Sequence, residues 1–360
     1  MPLPLRGEPD SRIEYGQVGA WRRRGQVSMA TAAGSATVLQ ILLETSTMRI
    51  IPMHLLRLLT ACGLAAGITA CDTDSITAEE AAGGGTPIVA VSNHPLRFFV
   101  ERIAGPAVGI EWRVPDGVDP ARWNPTADDV AAMQSADLIL LNGAGYEAWL
   151  PTASLPANRV VDTTATVRDQ LIRTGGPVHT HGPGGEHSHA GLASTTWLDP
   201  EIIIVQAEAV RDALIELSPA DQVTFNSRFG LLRREIGERF ASLEQAINTR
   251  PTTPVIYSHP VYQYLQRRFG MNGVAVHWDP DTEPDQQQIA ELDMALAGQP
   301  STHFIWESEP IPGNVEMLRR KGLISVVFDP SGANTEDGDL LVAFEGGAAS
   351  LRRVYGATED

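Results

Sequence analysis

The stretch PADQVTFNSRFGLLRREIGERFASLEQAIN, residues 219–248, carries one continuous amphipathic pattern. Its large apolar residues recur at steps of three and four, the period of an α-helix; they are Phe225, Phe229, Leu232, Ile236, Phe240, Leu243 and Ile247. Ser218 as N-cap and Pro219 at the first helical position mark its start. Roughly thirty residues predict a helix about 45 Å long. Such a helix is either an ordinary packed helix or a rigid connection between two domains.

On both sides of this helix, short apolar runs alternate with amphipathic segments, which is typical of βα units and parallel sheets. Before it we predict strands at 88–92, 110–114, 138–141 and 159–162, and helices at 95–104, 126–135 and 200–217, the last capped by Asp199. After it we predict strands at 255–257, 274–278, 304–306 and 324–328, and helices at 260–269, 285–297, 313–320 and 337–354. The sequence therefore predicts an α/β protein with two similar lobes, 86–217 and 250–360, joined by one long rigid helix at 218–249.

The composition of the 360-residue chain agrees with two domains of ordinary size, since 43% of its residues are hydrophobic and 20% are charged. The formal net charge is −17 and no basic cluster is visible, which argues against nucleic acid or anionic lipid as the main partner. A cationic ligand suits this charge, although an acidic surface also keeps a protein soluble.

The segment MRIIPMHLLRLLTACGLAAGITACDTD, from Met48, resembles a bacterial lipoprotein signal peptide. A basic beginning is followed by an apolar run too short for a comfortable transmembrane helix, and small residues precede Cys71. We predict an over-extended or disordered leader over 1–47, a signal peptide over 48–70, lipidation of Cys71 and a tether over 71–85. The expected location is periplasmic or cell-surface, with a lipid anchor in the membrane; a buried N-terminal helix is the alternative.

Possible metal ligands follow four of the predicted strands. His94 follows the first strand of the first lobe, and His259, Glu307 and Asp329 follow three strands of the second. Open α/β sheets bind ligands at the carboxyl ends of their strands. Imidazole with carboxylate suits Zn²⁺, or Mn²⁺ as the share of oxygen rises. A hydrogen-bonded loop residue is the alternative for His94, and His277, inside a predicted strand, is interpreted as a core histidine.

Residues 179–189 read HTHGPGGEHSH and contain two His-x-His pairs. Four of the nine histidines lie in these eleven positions: His179, His181, His187 and His189. We predict a structureless loop, because glycine and proline dominate its centre. Such a loop either captures metal weakly at the surface or folds one or two histidines into a cleft.

Four motifs in order resemble the metal-binding component of zinc and manganese ABC transporters, a family of cleft-type solute-binding proteins. They are PDGVDPARWNPTADDVAAMQSADLILLNGAGYEAWL at 115–150, TTWLDP at 195–200, YSHPVYQYLQRRFG at 257–270 and FDPSGAN at 328–334. The resemblance runs from about Thr86 to the C-terminus, and an internal His-rich loop is a feature of the zinc branch. It implies two α/β lobes on one long helix, and a divalent ion, Zn²⁺ or alternatively Mn²⁺, held between them and delivered to a membrane permease.

The resemblance also implies a ligand set that is incomplete in this chain. His259 stands at a family histidine and Asp329 at the family carboxylate, but Ala121 and Thr195 replace two further histidines. Zinc normally takes about three or four protein donors. We therefore predict as metal ligands His259, Asp329, His189 and His187, with His181, Glu307 and His94 as further candidates.

Two alternatives to extracytoplasmic metal capture for an ABC permease remain open. A zinc-dependent hydrolase also uses His-x-His pairs with a distant histidine and aspartate. Here, however, the pairs lie in a Gly-Pro loop and no His-x-His-x-Asp-His run occurs. The second alternative is a binding protein of another kind, an adhesin lipoprotein or periplasmic metal store without a permease partner. We expect metal binding without enzymatic activity.

Overall fold

The computed structural model of the protein describes residues 85–175, 191–333 and 339–356, together with the backbone of two short strands between 179 and 187. The predicted leader, signal peptide, Cys71 and nearly all of the tether lie outside the described residues, as do His181 and His189.

The first lobe is a parallel sheet with helices around it. Its strands are β1 (Ile88–Val91), β2 (Gly109–Glu111), β3 (Leu138–Leu141) and β4 (Val160–Asp162), and its helices are α1 (His94–Ile103), α2 (Ala127–Ser135) and α3 (Ile202–Leu217). The strand order is β2-β1-β3-β4, with every pair parallel. All four side chains of β3 are buried, as expected for a central strand covered on both faces.

Polar side chains define where the helices of this lobe begin. The Asn93 side chain accepts a hydrogen bond from the Leu96 backbone N–H at 3.0 Å and so starts α1 directly after β1. Thr126 and Asp129 form a capping box at the start of α2. Asp199 Oδ1 accepts from the backbone N–H groups of Glu201 and Ile202, but the N-cap of α3 is Glu201, so the prediction of Asp199 as the N-cap was wrong.

The His-rich segment contains regular pairing, so the prediction of a structureless loop was wrong. Strands β5 (Arg173–Thr174) and β8 (Gly191–Leu192) pair antiparallel at its base. Between them, β6 (His179–Thr180) pairs antiparallel with β7 (Glu186–His187), and the backbones of His179 and His187 lie opposite each other.

The long predicted helix is α4 (Gln222–Ile247), preceded by a short 3₁₀ turn at Pro219–Asp221. Every apolar residue of the predicted stripe is buried. Ser218 does not cap the helix as predicted, because its hydroxyl donates to Asp221 Oδ2 at 2.7 Å. The buried stripe stabilises α4 by packing against α1 and α3.

The second lobe repeats the arrangement of the first. Its strands are β9 (Val255–Tyr257), β10 (Gly273–Ala275), β11 (His303–Trp306) and β12 (Ile324–Val327), and its helices are α5 (Gln263–Phe269), α6 (Gln286–Gly298), α7 (Pro312–Arg320) and α8 (Leu340–Tyr355). The order β10-β9-β11-β12 is again fully parallel. The prediction of two similar α/β lobes joined by a long helix is confirmed. Strand β10 ends earlier than predicted, however, which places His277 beyond the strand.

Packing and hydrogen bonds join the lobes to α4 and to each other. Helix α8 packs along α4, where the rings of Phe240 and Phe344 meet edge to face at 5.4 Å between centroids. Between the two lobes, the Trp197 indole N–H donates to the Pro330 carbonyl oxygen at 2.6 Å. No helix in the described ranges is both long enough and apolar enough to cross a membrane.

Candidate metal centre

Loops from both lobes converge at the carboxyl ends of the second sheet. His259 follows β9, Asp279 follows β10, Glu307 follows β11 and Asp329 follows β12. From the first lobe, the segment between β2 and α2 reaches the same place through Arg122. Strand ends thus bring the predicted second-lobe residues to one edge of the sheet, as expected for a parallel α/β fold.

His259 is the imidazole at the centre of this cleft. It is only 8% exposed, and its Nδ1 lies 3.0 Å from Glu307 Oε1. The Glu307 backbone N–H donates to the Ser258 hydroxyl at 3.1 Å, which fixes the two loops side by side. A carboxylate beside Nδ1 is how proteins commonly orient a metal-binding histidine. Glu307 therefore lies at ion-pair distance from Nδ1 without being aligned as its hydrogen-bond acceptor, and Nε2 faces Arg122 and Asp279.

Arg122 and Asp279 contact the Nε2 side of His259. Neither residue was predicted from the sequence. Arg122 Nη2 lies 3.3 Å from this nitrogen, and Asp279 Oδ1 lies 3.6 Å from it. Arg122 Nη1 also donates to Asp279 Oδ1 at 3.1 Å. Asp279 would have been found by its position after a strand if the end of β10 had been placed correctly. Arg122 carries no such signal, because it comes from the other lobe.

His277 also belongs to this region. Its ring is perpendicular to that of His259, with 6.1 Å between the centroids. The backbone carbonyl of His277 accepts from Gln288 Nε2 at 2.6 Å, which holds this part of the chain against α6. Its interpretation as a histidine inside a core strand was wrong, because it is half-buried and lies in the loop after β10.

Acidic side chains make the cleft favourable for a cation. Desolvation raises the pKa of Asp329 to about 6, and the charges of Glu307 and Asp119 act in the same direction, against the Ser331 backbone N–H. Desolvation likewise raises the pKa of Asp119, against a backbone hydrogen bond from Ala121. Asp119 and Asp329 both keep solvent-exposed surface, so water screens part of these effects. Carboxylates that repel one another favour binding of a positive ion between them.

Arg122 supplies one positive charge to this cleft. Burial lowers its pKa, but the hydrogen bond to Asp279 and the charges of Asp279, Glu307 and Asp119 outweigh that effect and raise the pKa overall. The guanidinium therefore stays protonated at every relevant pH.

Tyr262 holds the ends of strands β11 and β12 in place. Its hydroxyl lies 2.5 Å from the Phe328 carbonyl oxygen and 3.2 Å from that of Trp306. These carbonyls precede Asp329 and Glu307. Burial raises the pKa of Tyr262 well above its usual value, and both neighbouring carboxylates add to this shift. The phenol thus remains a neutral hydrogen-bond donor.

Two candidate positions of the first lobe have structural roles. The Thr195 hydroxyl donates to the Val261 carbonyl oxygen at 2.5 Å and so bridges the lobes two residues beyond His259. His94 is 1% exposed at the start of α1, and its backbone N–H donates to the Gly332 carbonyl oxygen at 3.1 Å. Ala121, at the other replaced position, has no donor side chain to offer.

The described residues place one imidazole beside carboxylates in this cleft. Among them, no three His, Cys, Asp or Glu side chains are grouped closely enough to hold an ion. One imidazole nitrogen with neighbouring carboxylates suits a divalent cation of the Zn²⁺ or Mn²⁺ type. Additional donors are needed to complete the coordination that zinc requires.

A protein-family model described as ZnuA, zinc-uptake complex component A, periplasmic, matches residues 89–353. The zinc-binding lipoprotein AdcA of Streptococcus pneumoniae is 25% identical over 252 residues, 68% of this chain and 50% of that protein. The manganese-binding lipoprotein MntA of Halalkalibacterium halodurans is 28% identical over 218 residues, 60% of this chain and 67% of that protein. The chain thus spans half the length of the streptococcal relative.

The fold agrees with these sequence similarities. The structure of the periplasmic zinc-binding protein TroA from Treponema pallidum superposes with a TM-score of 0.61 at 21% identity, covering 76% of this chain and all of that one. Since the family model covers most of the described chain and the two-lobe architecture matches, this protein belongs to the ZnuA family of metal-binding ABC substrate-binding proteins, which are not enzymes.

Proposed function

We propose that this protein captures a divalent metal ion in the cleft between its lobes and delivers it to an ABC-type permease. Zinc is the favoured ion and manganese the alternative. The observation that carries the proposal is His259, which has a carboxylate beside Nδ1 and directs Nε2 towards an acidic cleft. Membership of the ZnuA family supports the transport role, and it removes the reason for considering a zinc-dependent hydrolase.

We propose His259 and Asp329 as ligands from the second lobe. The other donors would come from the His-rich segment, with His187 and His189 favoured and His181 also considered, because Ala121 and Thr195 offer no imidazole. Glu307 and His94 remain further candidates; Glu307 is better placed to orient His259 than to replace it.

Contacts at the base of the His-rich segment support this ligand set. The Tyr264 hydroxyl donates to the Ala193 carbonyl oxygen at 3.0 Å and accepts from the Ile172 backbone N–H at 3.4 Å. These two residues flank the base of the segment, and Tyr264 lies on α5, just beyond the His259 loop. Both ends of the segment are therefore held next to the second lobe.

Metal analysis of the full-length protein tests this function. Elemental analysis after purification identifies the ion, and titration of the metal-free protein with Zn²⁺ and with Mn²⁺ gives stoichiometry and affinity. We expect one ion per chain in the cleft and its loss in His259→Ala. The matched control is His303→Ala, which changes a histidine at the opposite end of β11. Full-affinity metal binding by His259→Ala would refute the cleft as the site.

A deletion of residues 177–190 separates the two roles of the His-rich segment. If its histidines are ligands, the deletion lowers the affinity for zinc; if they only collect ions, it slows loading and leaves the affinity unchanged. Comparing zinc uptake by cells that carry this protein with and without an ABC permease would distinguish delivery from simple metal storage.

We further propose that Cys71 is lipidated and anchors the mature protein outside the cytoplasm. Metabolic labelling with a fatty acid should mark the wild-type protein. Labelling that persists in Cys71→Ser would exclude this anchor.

A further inference from the structure

The cleft contains a positive charge that belongs to the protein itself. The Arg122 guanidinium crosses from the first lobe and has three neighbours: His259 Nε2 at 3.3 Å, Asp279 Oδ1 at 3.1 Å and Asp119 Oδ2 at 3.8 Å. Two of these neighbours lie in the second lobe. Arg122 thus links the lobes at the position of the accessible imidazole nitrogen.

The contact with Arg122 defines the tautomer of the His259 ring. A guanidinium has N–H donors and no acceptor, so His259 Nε2 must accept with its lone pair. The ring proton is then on Nδ1, where Glu307 Oε1 lies 3.0 Å away. This is the tautomer that binds a metal through Nε2. Arg122 therefore uses the same lone pair that a metal ion needs.

A metal ion and the guanidinium exclude each other at this nitrogen. A zinc–imidazole bond is about 2.0–2.1 Å long, whereas Arg122 Nη2 lies 3.3 Å from Nε2. One lone pair cannot serve both partners, and two cations at this distance repel each other in the partly desolvated cleft. Binding at His259 Nε2 requires the guanidinium to move away.

The side chain of Arg122 is able to move. It is 55% exposed, and the Asp119 carboxylate that lies beside its Nε belongs to the same loop. Arg122 can keep this partner while it withdraws from His259. Its release would leave Asp279, whose Oδ1 lies 3.6 Å from His259 Nε2, facing the incoming ion.

We propose that Arg122 is an internal counter-ion that occupies the metal position on His259 in the metal-free protein and must be displaced by the cargo ion. This inference rests on the proposed function. Arg122 then lowers the affinity of the cleft for any divalent ion, and it bridges the metal-free lobes through Asp279.

Zinc binding by Arg122→Gln and Arg122→Ala tests the inference, with the full-length protein and zinc alone as the probe. Competition against a chromophoric chelator measures affinity. We expect both variants to bind zinc at least about tenfold more tightly. In the wild type the ion has to break the charged hydrogen bond between Arg122 and His259, and the variants lack this bond. The control is Arg320→Ala, which removes an exposed arginine paired with Glu316 on α7 and should leave zinc affinity unchanged.

A second measurement detects the contact without any metal. With ¹⁵N-labelled histidine, the Nε2 resonance of metal-free His259 should shift when Arg122 is replaced and should stay in place in Arg320→Ala. Unchanged or weaker zinc binding in both Arg122 variants, or an unchanged Nε2 resonance, overturns the inference.

The outcomes also separate the inference from the proposed function. Equal zinc affinity of the wild type and both variants refutes the role of Arg122 and leaves metal capture standing. Zinc binding only after replacement of Arg122 supports the counter-ion and refutes zinc as the cargo of the wild-type protein. Failure of all forms to bind either zinc or manganese refutes both.

Discussion

The Thr195 hydroxyl donates to the Val261 carbonyl oxygen at 2.5 Å, and so connects the turn before α3 to the loop that carries His259. Thr195 stands where the family resemblance places a histidine ligand. In this chain the position therefore joins the lobes directly, by a hydrogen bond from the buried Thr195 to the half-buried Val261.

Replacing Thr195 by valine should destabilise the protein by about 1–3 kcal/mol, because the Val261 carbonyl oxygen loses its buried donor. Chemical denaturation of the metal-free protein measures the change. Thr195→Ser keeps the hydroxyl and should retain most of the stability. Equal stability of the valine variant and the wild type would show that this bond does not hold the lobes together.

Replacing Glu307 by glutamine should lower metal affinity by about 10- to 100-fold, since the charged partner beside His259 Nδ1 is lost. Isothermal titration with zinc measures the effect. Glu309→Gln, which changes an exposed carboxylate two residues further on, is the matched control and should bind like the wild type. Comparable affinities of the two variants would argue against an orienting role for Glu307.

The metal-free protein should become more stable as the pH falls from 7.5 to 5, through the contribution of Asp329. Its pKa is raised in the folded state to about 6, above the usual value of an aspartate, so protonation favours folding. This contribution is fully present below the unfolded pKa and is lost as the pH rises through the folded pKa. Because the side chain is exposed, we expect about 0.5–1 kcal/mol.

Urea unfolding at several pH values tests this dependence. Asp329→Asn removes the titrating group and should flatten that part of the profile. Asp281→Asn, at an exposed site, should leave the profile unchanged. A profile of Asp329→Asn that matches the wild type would show that another group causes the dependence.

Replacing Leu232 by alanine should destabilise the whole protein by about 2–5 kcal/mol, because this α4 side chain is fully buried in the core shared by both lobes. The adjacent Leu231 is 46% exposed, so Leu231→Ala should cost far less. Calorimetry of the metal-free protein checks both variants. Separate unfolding transitions of the two lobes would contradict a shared core along α4.

Local patterns in the sequence were sufficient to predict the architecture. The apolar stripe from Phe225 to Ile247 indicated α4, since a helix repeats its buried face every three or four residues whatever it packs against. The alternation of apolar runs and amphipathic segments indicated two parallel sheets. The positions of His259, Glu307 and Asp329 after strands placed them at one edge of the second sheet, because all strands of that sheet run the same way.

The contacts inside the cleft were decided by the tertiary structure. His277 was assigned to a strand because the apolar residues on either side of it, Val276 and Trp278, continue the pattern of β10; both are in fact buried beyond the strand end. The meeting of Arg122 with His259 joins residues 137 positions apart, in different lobes. Periodicity reports which face of an element is buried; which charged side chains meet across a cleft depends on how the lobes are placed.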